Sequence, residues 1–214
     1  MDKKKFNGVL RKAWFFIWED ESIWSWLVNI VLAFVLIKFV VYPGLGFAFS
    51  TSHPIVAVVS GSMEHGLDSS NSICGKVVVD YSSSLDNWWF TCGSWYGSVN
   101  ISKEDFVKFP FKNGFNTGDI MVLYGTKVKD LKVGEVIVYT TNRPDPIIHR
   151  VVKKSESGGI VYLQTKGDHN DMSYSFEQNI PESDYIGKAV LRIPLLGYIK
   201  IWFVKLVSLV TLMV

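Results

Sequence analysis

Serine, histidine and acidic side chains occur in short stretches whose composition suits acyl transfer. Ser62 lies in the stretch Ser60-Gly61-Ser62-Met63-Glu64, directly after a predicted strand. A serine hydroxyl becomes a good nucleophile only when a neighbouring base takes its proton. A glycine-containing turn at a strand end would expose this hydroxyl and free a backbone N–H beside it, which is the kind of donor that an oxyanion hole needs. Taken alone, such a turn is more often structural.

A base and two acids for this serine follow later in the chain. His149 lies in the apolar run Ile147–Val152, where a histidine is either a hydrogen-bonded core residue or a general base. Asp168 and Asp171 lie in a turn-rich stretch after a predicted strand. Either acid could orient the imidazole of His149, and the stretch could equally be a solvated loop or bind a cation.

The elements that must position these residues are strands. Residues 54–193 contain short runs rich in Val, Ile and Tyr between turn residues, which favour a small antiparallel β domain. Ser157-Gly158-Gly159 predicts a hairpin between two of the runs, and no useful helical periodicity occurs in this stretch. The predicted strands are Pro54–Val59, Lys76–Tyr81, Asp119–Tyr124, Glu135–Thr141, Ile147–Lys153, Ile160–Thr165 and Tyr185–Ile193.

An apolar segment near the N-terminus predicts a membrane anchor. Ile23–Val41 is long enough to span a hydrocarbon core of roughly 30 Å. Pro43, with the glycines after it, predicts the end of this helix, so the anchor is assigned to residues 23–45. Basic residues precede it and predict a cytoplasmic segment 1–22: Lys3, Lys4, Lys5, Arg11 and Lys12. The long apolar run without a small-residue cleavage site favours a retained anchor over a cleaved leader.

A second apolar segment closes the chain at residues 194–214. Because Lys200 and Lys205 interrupt it, an interfacial amphipathic helix competes with a second membrane span, and we favour a second span or deep anchor. Residues 46–193 are then an extracytoplasmic β domain between two membrane segments.

Residues 66–117 form a block rich in aromatic residues, Ser, Asn and Gly. It holds Cys74 and Cys92, the two cysteines of the chain. A disulfide between them would close a loop of about 17 residues, and two free thiols are the alternative. The aromatic residues could rest on the lipid interface, shape a substrate groove or form the core of a peripheral lobe.

Several motifs, taken in order, resemble those of the type I signal peptidases. They are Ser60-Gly61-Ser62-Met63-Glu64, Gly118-Asp119-Ile120-Met121-Val122, His149-Arg150-Val151-Val152, Thr165-Lys166-Gly167-Asp168, Ile186-Gly187-Lys188 and Leu196-Gly197-Tyr198. The resemblance covers most of residues 54–200 and includes an N-terminal anchor. Bacterial members have a lysine base at the position of His149, whereas the archaeal and endoplasmic-reticulum branch has histidine, so the chain resembles that branch.

The resemblance implies a membrane-bound serine endopeptidase that removes signal peptides from preproteins. Ser62 would be the nucleophile, His149 the base, and the Ser62 N–H with the Ser60 hydroxyl the oxyanion hole. The substrate would lie as an extended strand beside Ile55, Val56, Ala57, Val58 and Val59. No cofactor or metal is implied, and accessory membrane subunits remain an open question. The expected location is a plasma membrane of archaeal type, with the endoplasmic reticulum as the alternative.

The chain departs from the family pattern at three places. His65 stands where the family usually has proline, and it could be a rival base or an incidental substitution. The family generally has a further acid six residues after the Gly-Asp motif, and Tyr174 occupies that position here. Asp171 is therefore favoured as the triad acid, with Asp168 as the other candidate. The block at residues 66–117 is longer than the usual connection.

Charge and composition weigh against other classes of protein. A net charge of +2 gives no basic face for nucleic acid. The four histidines lack the close spacing of a metal site. A non-catalytic membrane-anchored adaptor remains the alternative function.

Overall fold

The computed structural model describes residues 3–199 and 201–202. The chain divides between Ala48 and Phe49 into an N-terminal helical unit and a second unit that is rich in β structure.

The N-terminal unit contains helix α1 (Lys3–Trp18) and helix α2 (Ile23–Leu36). The last carbonyl groups of an α-helix have no partner within the helix. Two polar residues of the apolar α2 supply donors to α1: Ser25 Oγ donates to the Phe16 carbonyl at 2.5 Å, and Asn29 Nδ2 donates to the Ile17 carbonyl at 2.9 Å. These bonds explain the polar interruptions of the apolar segment.

The apolar helix continues past the point where the sequence predicts its end. A π-helical turn (Ile37–Val41) links α2 to helix α3 (Tyr42–Ala48), so the continuous helix Ile23–Ala48 has 26 residues, and an 18-residue window of it has a mean hydropathy of 2.2. Proline lacks the N–H of an α-helical bond, and its ring crowds the preceding turn. The wider π turn directly before Pro43, with the Tyr42 N–H donating to the Ile37 carbonyl, accommodates this residue. The helix is long and apolar enough to cross a membrane.

A seven-stranded antiparallel sheet forms the main body of the second unit, which confirms the predicted fold class. In chain order its strands are β1 (Ile55–Ala57), β4 (Ile120–Tyr124), β5 (Val136–Tyr139), β6 (Ile147–Ser157), β7 (Ile160–Lys166), β8 (Ile180–Pro181) and β9 (Tyr185–Ile193). Their order across the sheet is β1-β4-β9-β5-β6-β7-β8, so β1 and β8 are the edges. Gly158 and Gly159, both with positive φ, form the predicted turn between β6 and β7.

Apolar clusters cover both faces of the central strand β5. Val136 and Val138 belong to a cluster with Met63 of the Ser62 turn, whereas Ile137 and Tyr139 belong to a cluster on the other face. Side chains alternate between the faces of a strand, so a run that is apolar at every position is buried on both faces. This burial fixes the register of β5 against β6, in which Ile137 pairs with His149.

Residues 66–117, here called the inserted lobe, contain helix, which corrects the expectation of no helix in this part of the chain. The lobe holds a two-stranded ribbon, β2 (Ser72–Ile73) and β3 (Lys76–Val77), followed by helix α4 (Leu85–Ser98) and helix α5 (Lys103–Phe106). The predicted strand Lys76–Tyr81 is reduced to two residues. Trp88, Cys92 and Tyr96 repeat every four residues and form the buried face of α4. Because Gly93 and Gly97 have low helix propensity, this helix depends on tertiary packing.

The inserted lobe has an aromatic core that closes against the main sheet. Trp88, Tyr96 and Phe106 are fully buried, and Val152 of β6 belongs to the same cluster. A disulfide joins Cys74, which follows β2, to Cys92 of α4. The predicted C-terminal membrane segment lies largely outside the described residues, so it stays a prediction.

The disulfide generates a prediction about stability. Replacing both cysteines, Cys74→Ala with Cys92→Ala, removes the cross-link and should lower the free energy of unfolding by about 3 kcal/mol, because the unfolded chain regains the freedom of the closed loop. Thermal unfolding in detergent measures the loss, which corresponds to a fall in Tm of roughly 6–12 °C. Free thiols that react with an alkylating agent in the folded, unreduced wild type would contradict the cross-link itself.

Candidate functional site

Ser62 lies on a turn that is anchored by strand β1 before it and by the buried side chain of Met63 after it. The turn follows β1, and the next side chain, Met63, is fully buried in the core. The Glu64 N–H donates to the Gly61 carbonyl and closes the turn. The His169 N–H donates to the Ser62 carbonyl at 2.9 Å. The Ser62 carbonyl is therefore bound to the loop that contains His169, while the Ser62 hydroxyl lines a groove.

The structure brings Ser62 and His149 together. His149 lies on β6 and is 5 % exposed, and its Nε2 is 2.9 Å from the Ser62 hydroxyl oxygen. Its other ring nitrogen, Nδ1, is hydrogen-bonded to Oε1 of Glu177. A carboxylate only accepts hydrogen bonds, so Nδ1 carries the proton of a neutral ring and Nε2 is free to accept from the serine hydroxyl. This arrangement suits proton transfer from Ser62.

Glu177 is the acid at the histidine, a residue that the sequence analysis did not single out. It ends a 3₁₀ turn (Ser175–Glu177) and is fully buried. Its second carboxylate oxygen accepts the Tyr174 N–H at 2.8 Å, which holds the carboxylate in one orientation. A usable sequence signal existed: Glu177 is the single acid in residues 172–181.

Asp168, one of the two expected triad acids, is instead paired with Arg150. Arg150 Nε donates to Asp168 Oδ1 at 2.9 Å, and a terminal guanidinium nitrogen donates to Oδ2 at 2.6 Å. Tyr96 and His65 bind the same carboxylate at 2.8 and 3.1 Å. Burial alone would raise the pKa of Asp168, but the Arg150 charge and the hydrogen bonds from His65 and Arg150 hold this pKa far below its usual range. Its lone pairs are thus used by partners other than His149.

Asp171, the favoured triad acid, is exposed and contacts a different residue. Tyr174 donates its hydroxyl proton to Asp171 Oδ1 at 3.0 Å. The two expected acids therefore do not bind the imidazole. The 3₁₀ turn between β7 and β8 places Glu177 at that position instead.

His65 also lies away from the serine hydroxyl. Its ring stacks on Trp88 with centroids 4.0 Å apart, and its Nε2 binds Asp168. Burial lowers the pKa of His65, so the ring is neutral at pH 7 and donates from Nε2. His65 therefore lies between Trp88 of the inserted lobe and Asp168.

Ser60 and the backbone of Ser62 lie where an oxyanion hole would form. The Ser60 and Ser62 hydroxyl oxygens are 3.2 Å apart on the exposed side of the turn. Within the described residues, no acceptor pairs with the Ser62 N–H. Two donors beside the Ser62 hydroxyl oxygen, the Ser62 N–H and the Ser60 hydroxyl, are thus available to an anion.

A groove of about 530 Å³ runs along β1 and past the Ser62–His149 pair. Ala57 and Val59 line it, and so do Arg143 and Phe176. The expected substrate run divides by alternation: Val58 is buried in the core and Val56 packs against it, whereas Ile55 and Val59 are exposed. Because β1 is an edge strand, its free side can accept a further extended segment.

Comparisons with known proteins point in the same direction. No family model matches the chain. The chain is similar to proteins named signal peptidase complex catalytic subunit SEC11 from Colletotrichum graminicola, at 37% identity over 94 residues, and from Pyricularia oryzae, at 38% over 94 residues. Each of these matches covers 41% of this chain and 55% of the relative, so the chain spans about half the length of these curated relatives.

A longer match is found with the protein of the same name from Sclerotinia sclerotiorum. It is 29% identical over 181 residues, which is 80% of this chain and 77% of that protein. In its ordered motifs, its antiparallel sheet and these similarities, the chain resembles the type I signal peptidases of the branch that contains the SEC11 subunits.

Proposed function

We propose that the chain is a membrane-anchored serine endopeptidase that cleaves signal peptides from preproteins. The observation that carries the proposal is the contact of the Ser62 hydroxyl with His149 Nε2 at 2.9 Å, in a groove beside an open strand edge. The names of the relatives support the same activity.

In the first step, the Ser62 oxygen attacks the scissile carbonyl carbon while His149 Nε2 takes the hydroxyl proton. Glu177 keeps the second ring proton on Nδ1 and stabilises the imidazolium that forms. The carbonyl oxygen becomes an oxyanion and receives hydrogen bonds from the Ser62 N–H and the Ser60 hydroxyl. His149 then gives its proton to the leaving amine as the peptide bond breaks.

In the second step, water hydrolyses the acyl-enzyme. His149 takes a proton from the water as its oxygen attacks the ester carbonyl, and the proton returns to the Ser62 oxygen when the ester bond breaks. The signal peptide leaves with a new carboxylate, and the enzyme regains its starting protonation.

The substrate adds an extended segment to the free edge of β1. Backbone hydrogen bonds to residues 55–59 would supply affinity that is independent of sequence, and side-chain selection would come from the pockets beside Ala57 and Val59. This mode suits signal peptides, whose sequences share little beyond small residues before the cut.

The relatives also bear on location and partners. They are named as subunits of a signal peptidase complex, so we propose that accessory membrane subunits bind this chain as well. The location they support is the membrane of the endoplasmic reticulum, and they lend no support to the archaeal plasma membrane expected first.

The serine and histidine give the first test. Ser62→Ala and His149→Ala should each reduce cleavage of a model preprotein in detergent by about a millionfold, because each variant removes one partner of the proton transfer. The measurement is the rate of signal-peptide release at matched amounts of folded protein. Ser62→Ala that keeps the wild-type rate would exclude the serine mechanism, and wild type without any activity would favour the adaptor function.

The acid gives the second test, with a matched control in the same segment. Glu177→Gln keeps the size of the side chain but removes the charge that stabilises the imidazolium, so kcat should fall by about 10³–10⁴-fold. Asp171→Asn, which removes an exposed carboxylate six residues earlier, should leave kcat within about twofold. The reverse result, with Asp171→Asn inactive and Glu177→Gln active, would restore Asp171 as the triad acid.

A further inference from the structure

The inserted lobe makes polar contacts with the backbone loop that touches both Ser62 and His149. We infer that the lobe is a positioning element: through Tyr96 and Cys74 it fixes the Gly167–His169 loop and thereby aligns the nucleophile with its base. This inference rests on the proposed function, because its kinetic consequence presumes that Ser62 and His149 are catalytic.

The Gly167–His169 loop fits closely against Ser62 and His149. The His169 N–H donates to the Ser62 carbonyl at 2.9 Å. A Cβ atom added to Gly167 would lie 2.7 Å from the Ser62 carbonyl oxygen and 2.8 Å from His149 Nε2. There is no room between the loop and the pair, so a shift of the loop toward them must move Ser62, His149 or both, and a shift away breaks the hydrogen bond from His169 to Ser62.

The inserted lobe holds this loop through two hydrogen bonds. The Tyr96 hydroxyl donates to Asp168 Oδ1 at 2.8 Å, and both side chains are fully buried. The Cys74 N–H donates to the His169 carbonyl at 2.9 Å. The disulfide joins Cys74 to Cys92, which lies one helical turn before Tyr96 on α4. One helix therefore secures both contacts.

A third contact joins the lobe to the Ser62 turn itself. The Tyr81 hydroxyl donates to the His65 carbonyl at 2.7 Å, three residues after the nucleophile. The His65 ring is held between Trp88 of the lobe and Asp168 of the loop. The lobe thus binds the two segments whose relative position sets the distance between Ser62 and His149.

The test is Tyr96→Phe, which keeps the ring in the aromatic core and removes only the hydroxyl. We expect kcat for preprotein cleavage to fall about tenfold with KM unchanged, because a small misplacement of the reacting groups affects the chemical step and leaves the β1 edge intact. We also expect faster hydrogen exchange in the peptide that contains His169. The matched control is Tyr124→Phe, which removes the hydroxyl of a partly exposed tyrosine on β4 and should change neither quantity.

Two readouts separate this inference from the proposed function. Wild-type protein without Ser62-dependent cleavage would refute the proposed function, while exchange at His169 would still report whether the lobe holds the loop. Tyr96→Phe with kcat within twofold of wild type and unchanged exchange would overturn the inference. If Tyr96→Phe does not fold, the Cys74→Ala, Cys92→Ala variant takes its place, with the same two expectations and the same contradicting result.

An independent observation concerns the surface of the lobe. Asn100-Ile101-Ser102 is the one Asn-x-Ser/Thr sequence in the chain, the acceptor pattern for N-linked glycans. Asn100 is exposed, has a φ of 62° and lies in the turn that ends α4. We propose that Asn100 is an N-glycosylation site.

The compartment and the chemistry both suit this modification. The disulfide of the same lobe indicates an oxidising compartment, which includes the lumen of the endoplasmic reticulum. In the transfer, the Asn100 amide nitrogen bonds to the anomeric carbon of a lipid-linked oligosaccharide. The carbon–oxygen bond to the lipid pyrophosphate breaks, the pyrophosphate leaves with the electron pair, and the amide loses one proton.

The test is expression of the full chain in a eukaryotic cell and treatment with a peptide N-glycosidase. We expect the wild type to shift by one glycan and Asn100→Gln to show no shift. Asn179→Gln is the matched control and should shift like the wild type, because Asn179 is also exposed with a φ of 53° but is followed by Ile180-Pro181. Wild-type protein that runs unshifted beside a glycosylated reference protein from the same cells would overturn the proposal.

Discussion

The buried ion pair between Arg150 and Asp168 is the constraint on which the arrangement of Ser62 and His149 depends. A buried charge is costly unless it is paired and hydrogen-bonded. Arg150 meets this condition with two bonds to Asp168 and three to the carbonyls of Pro110, Gly134 and Phe111. Such a pair need not add net stability, because the desolvation of both charges offsets their attraction. Arg150 adjoins His149 on β6 and Asp168 adjoins Gly167, so the pair fixes His149 against the loop that binds the Ser62 carbonyl.

The strands could be predicted from the sequence because burial on one or both faces selects the same residues that favour strands. β9 has the predicted bounds, Tyr185–Ile193, and β7 differs from its prediction by one residue. Helix α4 could not be predicted in this way, since its glycines and serines mask the repeat of Trp88, Cys92 and Tyr96. Its helical state depends on packing in a mainly aromatic core, to which α5 contributes Phe106 and β6 contributes Val152. Long-range packing of this kind is invisible to a local pattern.

The site divides along the same line. Ser62 and His149 could be predicted because the ordered motifs connect a serine on a turn after a strand with a histidine inside a strand. Glu177 is marked in the sequence only as the single acid of residues 172–181, and that signal does not show which side chain it contacts. Its contact with His149 depends on the path of the chain between β7 and β8. The role of Asp168 depends on Arg150, and arginine is so seldom fully buried that the sequence gives no reason to expect the pair.

The two carboxylates of the site therefore have separate physical tasks. The Glu177 carboxylate accepts hydrogen bonds from the Tyr174 N–H and from His149 Nδ1. A local turn therefore sets the orientation of the carboxylate, which contacts the imidazole directly. The Asp168 carboxylate is occupied by Arg150, His65 and Tyr96 and acts on the site through the backbone of Gly167. Asp168 therefore does not contact His149. It binds Arg150, which directly follows His149 on β6, and this pair holds the strand and the loop in a fixed relation.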